Sequence, residues 1–301
     1  MNELLQKYYE YFKRDNSQFN SFYSIIINAY DLSKNEQIKI DLEELFEFFC
    51  EKGNYGYKVK TGRYTIFGGI HREEISKKCF EENKKASFNW FYPSAYLIKR
   101  KQFIFSEANN IKAYCKAYLS IKPEEYVNVI IKLQDFINQL YHNHDENEVG
   151  QCKFRNVPAN DSITIRFACK EHYIEFIEFL KENKDIIDSF DTPNLFMPQD
   201  EYGVSLIIAN GGSYNYFVTK IIWDYMEHCK KNNYTVSVEG IVDFINNYDC
   251  SKDSLMNVND EDTVLKYKLV LSGIFLSQPN EELLYIMGLS NGKALKLINK
   301  E

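Results

Sequence analysis

The chain has 301 residues, 45% hydrophobic and 26% charged, so it can bury a sizeable core and falls outside the disordered class. Its 43 acidic against 36 basic side chains give a net charge of −7, which argues against a nucleic-acid binder that gains affinity by neutralising phosphates. Seven scattered cysteines with no CxxC pair give no support to zinc or thioredoxin-like chemistry and read as free thiols in a reducing cytoplasm.

The N-terminus, Met1-Asn2-Glu3-Leu4-Leu5, has neither a basic region nor a long apolar core, so no secretory signal is expected. No run approaches the roughly 20 apolar residues of a membrane span. A cytoplasmic protein that binds neither membrane nor nucleic acid is the expectation. The 23 Tyr and 22 Phe imply a largely aromatic core, with phenol groups needing partners at its edge.

Residues 1–50 read as a helical segment. Leu4, Leu5, Tyr8, Tyr9 and Phe12 recur at helical spacing, as do Leu42, Leu45, Phe46 and Phe49, the latter behind an Asp41 N-cap with Glu44 as its capping-box partner. Alternation over 55–60 and 64–70, on either side of Thr61-Gly62-Arg63, predicts a β-hairpin. Phe91-Tyr92-Pro93 precedes a strand expected over 96–105, and 111–121 alternates as a central strand. Lys122-Pro123-Glu124-Glu125 starts an amphipathic helix with apolar positions Val127, Ile130, Ile131, Leu133, Phe136, Ile137 and Leu140. An acidic loop follows over 142–150.

Two basic strands come next, over 152–155 and 162–169, then a helix from 171 to 189. A turn-rich segment and a short apolar strand lead to Asn210-Gly211-Gly212-Ser213, which opens another helix. Helices over 216–230 and 238–248, a polar linker and a helical C-terminus complete the chain. The expected fold is α+β, a central and mostly antiparallel sheet covered by helices, with helical N- and C-terminal segments. The segmentation is 1–50, an α+β core over 51–248, and 249–301 as linker and C-terminal helices.

The basic strands carry the chemistry worth weighing. Lys153 and Arg155, two apart on one strand, share a side of it. If the sheet brings their side together with Lys116 and Arg166, several donors converge. Arginine grips a phosphate with its planar fork, while lysine serves as a point charge or, once desolvated, as a base. The same charges would serve equally as edge-strand charges that discourage aggregation. The Gly211-Gly212-Ser213 turn could bind an anion through backbone N–H groups, although a plain helix cap explains it as well. His142 and His144 lie close to Asp145 and Glu146 in what reads as a solvated loop. No HExxH, nucleophile elbow or glycine-rich dinucleotide motif is present.

The order of motifs over 41–247 resembles the HopA-type effector family, named for bacterial type III effectors, whose relatives include lyases of class V lanthipeptide and thioamitide biosynthesis. The pieces that carry the resemblance are Asn54-Tyr55-Gly56-Tyr57-Lys58-Val59, Phe91-Tyr92, the run from Lys116 to Pro123, Lys153, Arg166, Gly203-Val204 and Ser213-Tyr214-Asn215. Ala168, Tyr202 and Asn215 depart from its pattern.

The resemblance implies β-elimination of phosphate from phosphoserine or phosphothreonine in a peptide, giving a dehydroamino acid. Lys153 and Arg166 would be the catalytic pair, with Lys153 as base. Lys116, Arg155 and Ser213 would hold the substrate phosphate, and Tyr118 and Tyr202 the peptide. It implies no metal and no organic cofactor. The partners would be a phosphorylated precursor peptide and a separate kinase that modifies it first. A non-catalytic effector or peptide-binding protein of the same fold is the alternative, and a toxin or defence protein a third.

Overall fold

The computed structural model describes residues 1–14, 18–28, 57–61, 64–68, 90–93, 114–143, 152–155, 160–167, 169–208, 213–252 and 260–289. The Asp41-capped helix, the strand over 96–105, loop positions 144–150, Gly211-Gly212 and linker positions 253–259 lie outside the described residues. The chain divides into two compact units, one of Met1–Lys34 with Pro193–Glu301 and one of Asn35–Thr192. Their elements make the fold α+β.

The first unit is almost wholly helical. Helix α1 (Asn2–Arg14) buries Leu5, Tyr8 and Phe12, a stripe at the expected spacing. Helix α2 (Phe19–Ile27) sets Phe22 among Tyr8, Phe12 and Trp223, with ring centroids 6.2, 6.1 and 5.3 Å away and edge-on geometry throughout. Edge-on contacts suit the ring quadrupole and add about 0.5–1.5 kcal/mol per pair beyond area burial. This is where the aromatic composition goes.

The later helices of this unit are defined by their caps. Ser213 caps a long helix that ends at Asn233, which adopts the left-handed conformation asparagine tolerates (φ 56°). Ser237 Oγ accepts from Gly240 N at 3.0 Å at the start of the next helix. Asp260 accepts from the backbone N–H groups of Asp262 and Thr263 at the start of the one after that.

In the second unit the strands are β1 (Tyr57–Thr61), β2 (Tyr64–Gly68), β3 (Trp90–Pro93), β4 (Cys115–Leu119), β5 (Cys152–Arg155) and β6 (Ile163–Phe167). They follow one another in the order β2-β1-β3-β5-β6-β4, and every pairing among them is antiparallel. The hairpin expected around Gly62-Arg63 is present, with Thr61 opposite Tyr64. Phe91-Tyr92 forms a strand itself, and Pro93 stands at that strand's last position, where a missing N–H is tolerated.

After a 3₁₀ turn over Pro123–Glu125 comes α3 (Tyr126–Asn143). It extends past the expected loop start, so His142 lies within the helix. Its buried stripe is Tyr126, Val129, Ile130, Leu133, Phe136 and Leu140, whereas Val127, expected in that stripe, is 42% exposed. The phase is set at the first turn, where the buried Tyr126 hydroxyl donates to the Ser162 carbonyl at 3.1 Å.

The helix expected over 171–189 is two helices, α4 (Lys170–Glu182) and α5 (Lys184–Asp188). The break falls at Asn183, whose backbone leaves helical geometry (φ −117°, ψ 63°) while its side chain donates to the Phe179 carbonyl at 2.9 Å. Asparagine competes with the backbone in this way and so ends helices. Helices α3 and α4 meet through Phe136 and the rings of Phe176 and Phe179, at 5.5 and 4.7 Å. Phe167 of β6 packs on Phe176 and Tyr173 of α4, at 5.3 and 5.7 Å. The face of the sheet that carries Phe167 is therefore the one these helices cover.

Candidate functional site

Alternate residues of a strand share a face, and residues directly opposite each other across an antiparallel ladder share it too. Lys116 stands opposite Arg166 and Tyr118 opposite Thr164 on the β4–β6 ladder. Lys153 stands opposite Thr164 on the β5–β6 ladder. Lys116, Tyr118, Lys153, Arg155, Thr164 and Arg166 therefore occupy one face of the sheet. Trp90 opposite Arg155 extends that face to β3, and Lys60 opposite Trp90 extends it to β1, adding Lys58 and Lys60. None of these strands contains an Asp or Glu.

The intervening residues take the opposite face. Cys115, Ala117, Leu119, Ile163, Ile165 and Phe167 are all buried, and Phe167 meets α4. The sheet is thus two-sided in chemistry: one face is apolar and helix-covered, while the other collects cations. The alternation within each strand was readable in advance, but the register that puts the cations of different strands on one face was not.

On the cationic face, Lys116, Tyr118 and Thr164 are buried, at 5%, 6% and 4% exposure, while Arg166 is half-buried. Burying a charged or polar group costs free energy unless a partner compensates it. Lys116, Tyr118 and Arg166 each engage other groups of the protein. The Thr164 hydroxyl is different: it is buried and has no hydrogen-bond partner among the described residues. Sequence reasoning passed it over, although the pattern Ser162-x-Thr164-x-Arg166, polar at every second place in an apolar strand, was a usable signal. Ser162 Oγ donates to the Leu119 carbonyl at 3.3 Å and so ties the two strand ends together.

The remaining expected residues have local roles of their own. Lys122, weighed beside Lys116, donates through Nζ to the Asp188 carbonyl at 2.8 Å, where a cation suits a helix C-terminus. Tyr202 and Ser213 lie in the other compact unit. Tyr202 sits in a turn built on Asp200, whose Oδ1 accepts from the N–H groups of Tyr202 and Val204, both at 2.9 Å, with Gly203 supplying a positive φ of 85°. Ser213 is exposed, and its Oγ accepts from Tyr216 N at 3.3 Å as the N-cap of α6 (Tyr214–Asn232), the plain-cap role.

His228 rests against Tyr234 and Phe244 on the same helix system, and His172 is buried in α4. Among the described residues no group of three or more His, Cys, Asp or Glu could hold a metal ion, and no helix is long and apolar enough to cross a membrane. Burial pushes the thiols of Cys169, Cys229 and Cys250 up, away from nucleophilic thiolate character.

No protein-family model matches the chain, and no curated protein matches it either. A solved structure of an effector protein from Pseudomonas syringae pv. tomato strain DC3000 is similar at 12% identity and a TM-score of 0.45, over 85% of this chain and 96% of that one. A bacterial effector is thus a distant structural neighbour. A likeness so remote carries no argument about chemistry.

Proposed function

We propose that the chain is a phosphopeptide lyase that removes phosphate from phosphoserine or phosphothreonine by β-elimination. The observation that supports this reading is the ladder register, which sets Lys116, Lys153, Arg155 and Arg166 on one face of a sheet whose strands hold no acidic residue.

The reaction needs three things from such a face. A base must take the Cα proton, donors must stabilise charge developing on the neighbouring carbonyl, and cations must hold the leaving phosphate. Lys153 is the proposed base: its proton acceptor is the neutral amine, which takes the Cα proton. The electron pair of that C–H bond forms the Cα=Cβ double bond, and the Cβ–O bond breaks with its electrons leaving on phosphate. The products are a dehydroamino acid in the peptide and inorganic phosphate. No oxidant, metal or organic cofactor enters the balance. Arg166, Arg155 and Lys116 hold the phosphate, the arginines by paired N–H donors and the lysine as a compact charge. The phosphate would be installed by a separate kinase acting on a precursor peptide.

The test is to incubate purified protein with phosphothreonine and phosphoserine peptides of varied sequence. Loss of one phosphoric acid per peptide by mass spectrometry, with matching release of inorganic phosphate, is the expected result. Peptides that bind but stay phosphorylated would replace this reading with that of a peptide-binding protein.

A further inference from the structure

Strand β2 (Tyr64–Gly68) stands at one end of the strand order, and among the described residues only β1 pairs with it. An end strand presents a row of unpaired N–H and C=O groups, which natural proteins usually blunt with a charge, a proline or a bulge. β2 carries none of these. Its residues, Tyr64-Thr65-Ile66-Phe67-Gly68, include no charge and no proline. Its register with β1 runs unbroken from Thr61 opposite Tyr64 to Tyr57 opposite Gly68, which leaves no place for a bulge. Aromatic and β-branched residues fill all but its last position, a composition that favours strand pairing.

The phase of the hairpin decides which backbone groups face outward. Gly62 and Arg63 alone connect the two strands, and the pair that closes a two-residue connection, Thr61 with Tyr64, exchanges both backbone hydrogen bonds. Hydrogen-bonded and non-hydrogen-bonded pairs then alternate along the ladder. Tyr64, Ile66 and Gly68 therefore turn their N–H and C=O groups toward β1, while Thr65 and Phe67 turn theirs away from it.

A second copy of the chain, paired edge to edge, would engage the five residues of β2 on each side, whereas a stable interface takes about 20–30. An extended peptide is not held to that requirement. Main-chain bonds to the edge fix its register, and the rest of it is free to reach the face that carries Lys153 and Arg155.

We propose that β2 is the docking edge for an extended segment of the peptide substrate, added antiparallel, with the N–H and C=O groups of Thr65 and Phe67 pairing with the peptide main chain. The assignment rests on the peptide substrate of the reading above. It also sets a spacing. Lys153 lies on β5, three strands away in the order β2-β1-β3-β5, which is about 14 Å at about 4.8 Å per strand. At about 3.3 Å per residue, the docked segment and the phosphorylated residue are at least about four residues apart. The substrate is then a peptide whose docking segment lies outside the phosphorylated stretch.

The experiment uses the full chain and a fluorescein-labelled phosphothreonine peptide that binds it, found among peptides of varied sequence and read by fluorescence anisotropy. Methylating the peptide's backbone nitrogens one at a time should weaken binding at alternate residues of one segment, by about twofold to tenfold at each. That segment should lie about four or more residues from the phosphothreonine. T65P removes one outward N–H and leaves the β1 ladder intact, so it should weaken binding by a similar factor, while T65V keeps the N–H and should stay within about twofold of wild type. Amide exchange resolved to single residues should slow at Thr65 and Phe67 on peptide binding and stay unchanged at Ile66. If T65P fails to fold, the methylation series and the exchange pattern, both read on wild type, decide.

Methylation effects without alternation, or unchanged exchange at Thr65 and Phe67, would overturn the proposal. So would failure of every phosphothreonine peptide to bind, or a homodimer in sedimentation that T65P dissociates, which would give the edge to a second copy. Alternating methylation effects with no dehydroamino acid formed keep the docking edge and remove the lyase reading. Phosphate release that T65P leaves at the wild-type kcat/KM, with no slowed exchange at Thr65, does the reverse.

Discussion

Phe167 and Arg166 are neighbours in sequence and stand on opposite faces of β6, so replacing each in turn separates the two functions of the sheet. Phe167 is 1% exposed and packs against Tyr173 and Phe176 at 5.7 and 5.3 Å. Phe167→Ala removes roughly 150–200 Å² of buried apolar surface, which at about 25 cal/mol per Å² is about 4–5 kcal/mol. Large-to-small core substitutions of this kind measure about 3–5 kcal/mol. Phe167→Leu keeps most of the area and loses the ring geometry, so it should cost about 1–1.5 kcal/mol. Urea denaturation followed by far-UV circular dichroism reads both. Because the chain has two compact units, the transition of the sheet-bearing unit is identified by hydrogen exchange at β6 and α4. A loss below 1 kcal/mol for Phe167→Ala would refute the claim that α4 covers this face.

Three further outcomes are expected. Arg166→Lys keeps the charge and loses the fork, so phosphopeptide binding and turnover should both fall by roughly 1.5–3 kcal/mol, while Lys153→Arg should bind and fail to eliminate, because arginine does not give up its proton; wild-type phosphate release from Lys153→Arg would remove Lys153 as the base. Gly273→Ala should destabilise the first unit by about 1–3 kcal/mol in thermal melts, because an added Cβ would come within 2.2 Å of Gln278 Oε1 and 2.5 Å of Leu283 Cδ2; an unchanged melt would mean both side chains move aside freely. The Asp260 carboxyl is held below its ordinary pKa, first by the Thr263 hydroxyl and then by backbone N–H groups, so its contribution is fully present above the ordinary carboxylate range and is lost as pH falls through the lowered value; Asp260→Asn, which can still cap, should flatten the acid limb of melting temperature against pH and leave the neutral value nearly unchanged.

What could be read from the sequence was whatever depends on a residue and its near neighbours along the chain. Alternation marked strands at 111–121, 152–155 and 162–169, and β4, β5 and β6 formed there. Two-apart spacing was enough to put Lys153 and Arg155 on one side. Register is a different matter. It decides whether Arg166 shares that side, and it depends on how non-adjacent strands pair, which no local pattern states. The break at Asn183 was missed because the apolar spacing runs on through it, while a side-chain bond to the Phe179 carbonyl ends the helix. Thr164 was missed for a related reason: a strand threonine is ordinary, and only burial without a partner distinguishes it. Resemblance suggested Tyr202 and Ser213; the Asp200 turn and the Ser213 cap that hold them were legible from their own neighbours in sequence.

Like charges directly opposite across a ladder repel, and a cross-strand pair is typically worth a few tenths to about 1 kcal/mol in either direction. Lys116 opposite Arg166 is such a pair, and Lys116 is almost wholly buried, which adds desolvation to repulsion. Sheet stability alone would favour an apolar or oppositely charged partner at either position. Interactions with the rest of the protein engage both cations and offset part of that cost. A ligand that binds only the folded state raises the melting temperature by mass action, and here inorganic phosphate should do so more strongly than chloride at equal ionic strength.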